Sequence, residues 1–193
     1  AAHSSVLLSG TLMPPTFYRD LLGLPAETGW VDVESPFHSG QLAVHTVEHL
    51  STRFADRAQS LVPIAHLMAE QFARLPGNYL CFASSFDYLQ RIAAQLQQDH
   101  PEVPQWQQTA GMDDVARQAF LDRFQEGGQG IGFAVLGGAF SEGVDLPGHR
   151  LIGAFIATLG LPQVNPVNEE MRRAMDRHFG AGKGYDYTYL FPG

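Results

Sequence analysis

Cysteine is nearly absent: Cys81 is the only one in the chain. A single thiol forms no internal disulfide and holds no metal cluster, so a disulfide scaffold and a cysteine-based metal domain are both excluded. Cys81 lies in the apolar run Tyr79-Leu80-Cys81-Phe82, which predicts a buried free thiol and a reducing, cytoplasmic compartment. Charge is also scarce, at 17% of residues, and it is unbalanced towards acid, with a formal net charge of -8. No basic tract appears, so any contact with nucleic acid must use a local patch or backbone amides. Apolar runs are too short to span a membrane. The N-terminus lacks the basic and long apolar regions of a secretory signal. No internal repeat or low-complexity tract is found.

What the chain does have is enough apolar material for a core. Its 193 residues are 45% apolar and 11% aromatic, which fits one domain, or one domain with an appendage. Both ends read as cuts within a longer protein, since the chain starts at Ala1 and ends on the turn-like Phe191-Pro192-Gly193.

Punctuation by Gly and Pro divides the chain into short elements. Ser5 to Ser9 reads as a buried strand and Thr16 to Leu22 as a short helix. Val31-Asp32-Val33 and Leu42 to Val47 read as strands. A helix is expected from Phe54 to Arg74, with Leu61, Ala65, Met68 and Phe72 on one face and Pro63 as a site for a kink. Asn78 to Ala83 is a continuous apolar strand. The next helix, capped by Ser84 or Ser85, presents Phe86, Leu89, Ile92, Ala93 and Leu96. Pro101 and Pro104 mark a loop, Asp113 to Gln125 a helix, Ile131 to Leu136 and Leu151 to Ala157 strands, and Val167 to Phe179 a helix. Tyr185 to Phe191 reads as irregular or extended, with Tyr185, Tyr187 and Tyr189 alternating; packing is favoured over base stacking there. Short apolar strands alternating with helices predict an α/β fold with a mostly parallel sheet.

In such sheets ligands bind beyond the carboxyl ends of the strands. Three of these ends carry polar residues: Ser9-Gly10-Thr11, Ala83-Ser84-Ser85-Phe86, and the segment from Gly137 to Asp145. The third is rich in Gly and Ala, so backbone amides can approach a phosphate or a base closely. Its carboxylates, Glu142 and Asp145, suit a ribose hydroxyl, a magnesium-bound water or an arginine from elsewhere. The plainer reading is a tight turn with solvated carboxylates. A second rival is a degenerate nucleophile elbow, with Ser141 as nucleophile and Asp145 or Asp176 and His178 as partners. An elbow needs a helix directly after the serine, and Val144-Asp145-Leu146-Pro147-Gly148 is poor helix material. Histidines are scattered, only His45 and His49 being four apart, so a zinc site is disfavoured. A non-catalytic interaction domain stays open as a third class.

In order and spacing, these segments resemble the DinG/XPD branch of superfamily 2 DNA helicases. Ser9-Gly10-Thr11-Leu12 resembles motif III. Leu80 to Phe86 with Leu89 is similar to motif IV. Gly138-Ala139-Phe140-Ser141-Glu142-Gly143-Val144-Asp145-Leu146-Pro147-Gly148 resembles motif V, which the family writes as variants of S-E-G-[IV]-D. The resemblance implies a RecA-like three-layer domain, with helices on both faces of the sheet, acting as the second motor of an ATP-dependent helicase. ATP and Mg2+ would bind between two motor domains, with single-stranded DNA across both. Carried over, Ser9, Gly10 and Thr11 couple the nucleotide state to the DNA surface. Ser84, Ser85, Phe86, Phe140 and Ser141 face DNA. Gly143 and Asp145 face the nucleotide, with Glu142 and Asp145 in the catalytic role. Residues 1–34 would be a junction from the first motor domain, and 35–193 an incomplete second domain. The partners implied are single-stranded DNA and the chain's own first motor domain, in a monomer with no membrane contact and a role in DNA repair. The G-x-x-x-x-G-K-[ST] loop, a D-E-x-H segment, the family's iron-sulfur cysteines and the motif VI arginines are not in this sequence. The first three belong to the family's first motor domain and motif VI follows motif V, so the isolated chain is expected not to hydrolyse ATP.

Overall fold

A computed structural model describes residues 3–141, 144–162 and 164–192. The chain divides into two compact units, residues 45–160 and residues 1–44 with 161–193.

The larger unit is built on four parallel strands: β1 (Asn78–Ala83), β2 (Gln105–Gln107), β3 (Gly130–Val135) and β4 (Gly153–Ala157), in the order β2-β3-β1-β4. The expected α/β class and mostly parallel sheet are both observed. Central β1 is buried along nearly its whole length, which is why its sequence is a continuous apolar run rather than an alternating one. Its register sets Cys81 level with Phe133 of β3 and Phe155 of β4.

Helices cover both faces. On one side lie α2 (Arg57–Arg74), entered through the single turn Phe54–Asp56, and α3 (Phe86–Asp99). Met68 and Ala65 of α2 and Tyr88, Leu89, Ile92, Ala93 and Leu96 of α3 pack with Tyr79, Cys81, Ile131 and Phe133. The i, i+4, i+8 recurrence of Tyr88, Ile92 and Leu96 is the pattern that makes α3 amphipathic. Ser85 caps it, accepting a hydrogen bond from the Tyr88 amide at 3.3 Å. Helix α2 runs through Pro63 as one continuous helix. On the other face, α4 (Asp114–Leu121) and the turn after it bring Phe120 and Phe124 onto Leu80, Trp106, Ala134 and Phe140. Gly132 of β3 is required here: a Cβ would sit 2.7 Å from Phe124 and 2.9 Å from the Trp106 indole nitrogen.

The smaller unit contains α1 (Pro15–Leu22), α5 (Pro166–Phe179) and a π-helical turn, Asp186–Leu190. Phe17 meets Tyr187 edge-to-face at 5.0 Å, and Tyr187 donates its hydroxyl to Asp20.

Several expected elements are corrected. Ser5–Ser9 forms no strand, and Val6, Leu7 and Leu8 are exposed. Nor do Val31–Val33 and Leu42–Val47. Among the described residues none of these segments finds a strand to pair with, and β propensity alone does not hold a lone strand together. Tyr185–Leu190 is helical, so the alternating tyrosines do not mark a strand; Tyr187 and Tyr189 are both buried and the Tyr185 and Tyr189 rings lie 5.4 Å apart. The loop expected after Pro104 contains β2, and α4 ends at Leu121 rather than Gln125.

Candidate nucleic-acid interface at the carboxyl edge of the sheet

Parallel pairing brings the ends of β1 and β3 side by side. Ala83 is level with Val135, and the Leu136 amide donates to the Ala83 carbonyl at 2.9 Å. Two of the three polar strand ends picked out in the sequence therefore leave the sheet as neighbours. These are Ser84-Ser85-Phe86 after β1 and Gly137 to Ser141 after β3.

The β3 loop is a closed turn. Gly137 adopts φ +76°, a left-handed conformation that favours glycine. The Gly137 amide donates to Ser141 Oγ at 2.7 Å, and the Gly138 and Ser141 amides donate to Val135 and Gly138 carbonyls. Phe140 anchors the turn from beneath: it is 2% exposed and stacks on Phe120 with ring centroids 4.3 Å apart. Its ring faces the core and not a ligand, which departs from the DNA-facing role the resemblance implied. Val144 and Leu146 pack on the same cluster, whereas Asp145 is exposed and makes no hydrogen bond or ion pair among the described residues. Glu142 and Gly143 lie outside the described residues.

At the end of β1, Ser84 Oγ accepts from Arg57 Nη2 at 2.6 Å and Ser85 Oγ accepts from the Tyr88 amide. Phe86 is half-buried at the start of α3. Ser84, Ser85 and Ser141 thus share one property. Each hydroxyl oxygen accepts one hydrogen bond from a protein donor, and each hydroxyl proton has no acceptor among the described residues. A hydroxyl in that condition is set to donate to an anionic oxygen.

Two residues missed in the sequence shape this edge. Gln108 is buried just after β2; its amide donates to Phe133 O at 2.8 Å and its Oε1 accepts from Val135 N at 2.9 Å, so it holds the last residues of β3 in place. Arg57, at the start of α2, reaches Ser84 and stacks over the Tyr88 ring at 4.8 Å and the Phe54 ring at 5.3 Å. A polar residue beside a loop carries no periodic signal. Ser9, Gly10 and Thr11 belong to the other compact unit, where the Thr11 amide donates to Ser9 Oγ at 3.2 Å on an exposed stretch.

The local geometry of a nucleophile elbow is not found among the described residues. No helix follows Ser141 before the turn at Gly148 among the described residues. Asp176 is engaged in its own unit, accepting the Gly182 and Gly184 amides and pairing with Arg172. Among the described residues no group of three or more His, Cys, Asp or Glu gathers to hold a metal, and no helix is long and apolar enough to cross a membrane.

A family model described as the helicase C-terminal domain matches residues 68–192. The chain belongs to that family. A probable ATP-dependent helicase of Methanocaldococcus jannaschii is 28% identical over 110 residues, covering 53% of this chain and 16% of that protein. A solved structure titled as apo XPD superposes with a TM-score of 0.52 at 10% identity, covering 76% of this chain and 28% of that one. That superposition shows the RecA-like α/β fold. The chain spans well under a third of the length of either relative. The match to a helicase C-terminal domain agrees with the helicase resemblance and takes in the segments likened to motifs IV and V, whereas Ser9 to Leu12 lie outside it.

Proposed function

We propose that this domain is the second motor of an ATP-dependent DNA helicase, with the carboxyl edge of its sheet as the track for single-stranded DNA. Residues 35–193 would form that motor and residues 1–34 the junction from the first one. The observation that carries the reading is the row of serine hydroxyls, Ser84, Ser85 and Ser141. Each is oriented by a protein donor and keeps its proton for a phosphate oxygen. Their neutrality suits a domain of net charge -8, which cannot hold a polyanion by bulk attraction.

On this reading Phe140 is a positioning residue, since its buried ring fixes the turn that presents Ser141. Asp145 is the residue available to the nucleotide side, being exposed and unpaired among the described residues. ATP with Mg2+ supplies the hydrolysis that drives movement when bound between two motors. This chain's own contributions are to hold DNA phosphates at Ser84, Ser85 and Ser141, to orient the facing domain through Asp145, and to couple the two through Ser9, Gly10 and Thr11. Phe86 lines the same track at the start of α3, and Glu142 and Gly143 belong to the nucleotide side.

The test uses a helicase in which this chain is joined to its phosphate-loop motor. Ser141→Ala removes one hydrogen bond and should weaken single-strand binding by about 0.5–1.5 kcal/mol. Asp145→Ala should lower ATP turnover at saturating DNA while leaving DNA affinity near that of the parent. If both variants change only folding stability, the loop is structural and the reading fails.

A further inference from the structure

Among the described residues, the guanidinium of Arg57 is the one cation bonded to the serines of the candidate edge, and no acid pairs with it. Of the other arginines of the larger unit, Arg74, Arg91 and Arg117 pair with carboxylates within their own helices, Arg150 donates to the Phe124 carbonyl, Arg123 lies over the Trp106 ring at 4.8 Å, and Arg53 forms no bond to the serines of this edge among the described residues. Arg57 forms no ion pair among the described residues. Its Nη2 donates to Ser84 Oγ, its Nε reaches the Thr52 carbonyl at 3.5 Å, and its plane lies against Tyr88 and Phe54. The Tyr88 ring is itself fixed, since it is fully buried and its hydroxyl bonds Ser60 Oγ at 2.7 Å. Arg57 is therefore a rigidly held, half-buried positive charge, aimed at a serine whose proton is unclaimed.

A planar cation and a hydroxyl donor side by side, with no internal anion, match the oxygens of a phosphate. We infer that Arg57 and Ser84 together form a phosphate subsite, and that its occupant is a backbone phosphodiester of the single strand. This assignment rests on the helicase reading above and deepens it. It answers how an acidic domain with no basic tract holds a polyanion: one pre-oriented arginine supplies the charge that composition does not. The residue is invisible to motif reading because it lies 27 positions before Ser84, in a different element.

The experiment is fluorescence anisotropy with an oligo-dT strand, run as a salt series on the chain and on three variants. Arg57→Gln keeps a hydrogen-bond donor but removes the charge. Arg57→Lys keeps the charge but gives up the planar fork and the ring stacking. Ser84→Ala removes only the hydroxyl. For a single strand, each neutralised phosphate contributes about 0.7 to the slope of log affinity against log salt. Arg57→Gln should therefore flatten the slope by about 0.7, so that a tenfold rise in salt costs it roughly fivefold less affinity than the parent. Arg57→Lys and Ser84→Ala should bind more weakly with the parental slope. Loss of packing moves stability but not this slope, and circular dichroism of each variant confirms that folded protein is compared. An unchanged slope in Arg57→Gln overturns the subsite while leaving the helicase reading intact. No salt-dependent binding by the parent chain overturns both. A fluorescent ATP analogue forms the second arm: if Arg57→Gln weakens the analogue and not oligo-dT, the phosphate belongs to the nucleotide and the strand assignment is wrong.

Discussion

Replacing Phe140 by Ala separates a core anchor from a surface contact. The ring is 2% exposed and stacked on Phe120 at 4.3 Å, and Phe120 in turn touches Phe124 and Trp106. Truncating a fully buried phenylalanine costs about 3–5 kcal/mol, of which the paired-ring geometry contributes roughly 0.5–1.5. With a urea dependence of about 2 kcal/mol per molar, the unfolding midpoint should fall by about 1.5–2.5 M. Phe140→Leu refills most of the space and should cost about 1–1.5 kcal/mol. Trp106 fluorescence is the natural signal, because its indole packs 4.8 Å from Phe124 in the same cluster. A midpoint drop below about 0.5 M in the alanine variant, with single-strand binding reduced, would mean that the ring faces a ligand, and the description of the loop would be wrong.

The remaining predictions concern other parts of the molecule. Burial pushes the Cys81 thiol up to about 12 from 9.0, so a thiol reagent should label it only after unfolding. The same shift fixes a sign: the folded state keeps the proton that the unfolded chain releases above pH 9. The Cys81 contribution to stability should therefore be full below that pH and fall towards pH 12 by up to about 1.4 kcal/mol per pH unit, a contribution that Cys81→Ala removes from the alkaline slope. Ser85→Ala deletes the cap of α3 and should cost about 1 kcal/mol in urea unfolding. The purified chain should release no phosphate from ATP with or without DNA, since it has no G-x-x-x-x-G-K-[ST] loop; DNA-stimulated turnover in a steady-state assay would refute this.

The elements legible in the sequence were those whose burial imposes a pattern. β1 carries no polar interruption because both its faces are covered, and its limits, Asn78 and Ala83, are those expected. The recurrence of Leu89, Ile92, Ala93 and Leu96 marked α3 for the same reason. β2 was hidden because it is a three-residue edge strand, in which only Trp106 turns inward between two glutamines. The apolar stretches at Ser5–Ser9 and Leu42–Val47 misled for the opposite reason, since β propensity was present and a pairing partner was not. Within the site, the serine-bearing ends of β1 and β3 were legible from their Gly and Ser content. Arg57 and Gln108 were not, because their roles arise from contacts 27 residues away in sequence, with Ser84 and Val135 respectively.

Hydrogen exchange of the chain with and without saturating oligo-dT at low salt tests the central claim most directly. Protection should appear in two neighbouring segments, Ser84 to Tyr88 and Gly137 to Ser141, at the carboxyl edge of the sheet. Protection confined to the opposite edge, in the Asp122 to Gly128 turn, or none in either segment, would contradict it.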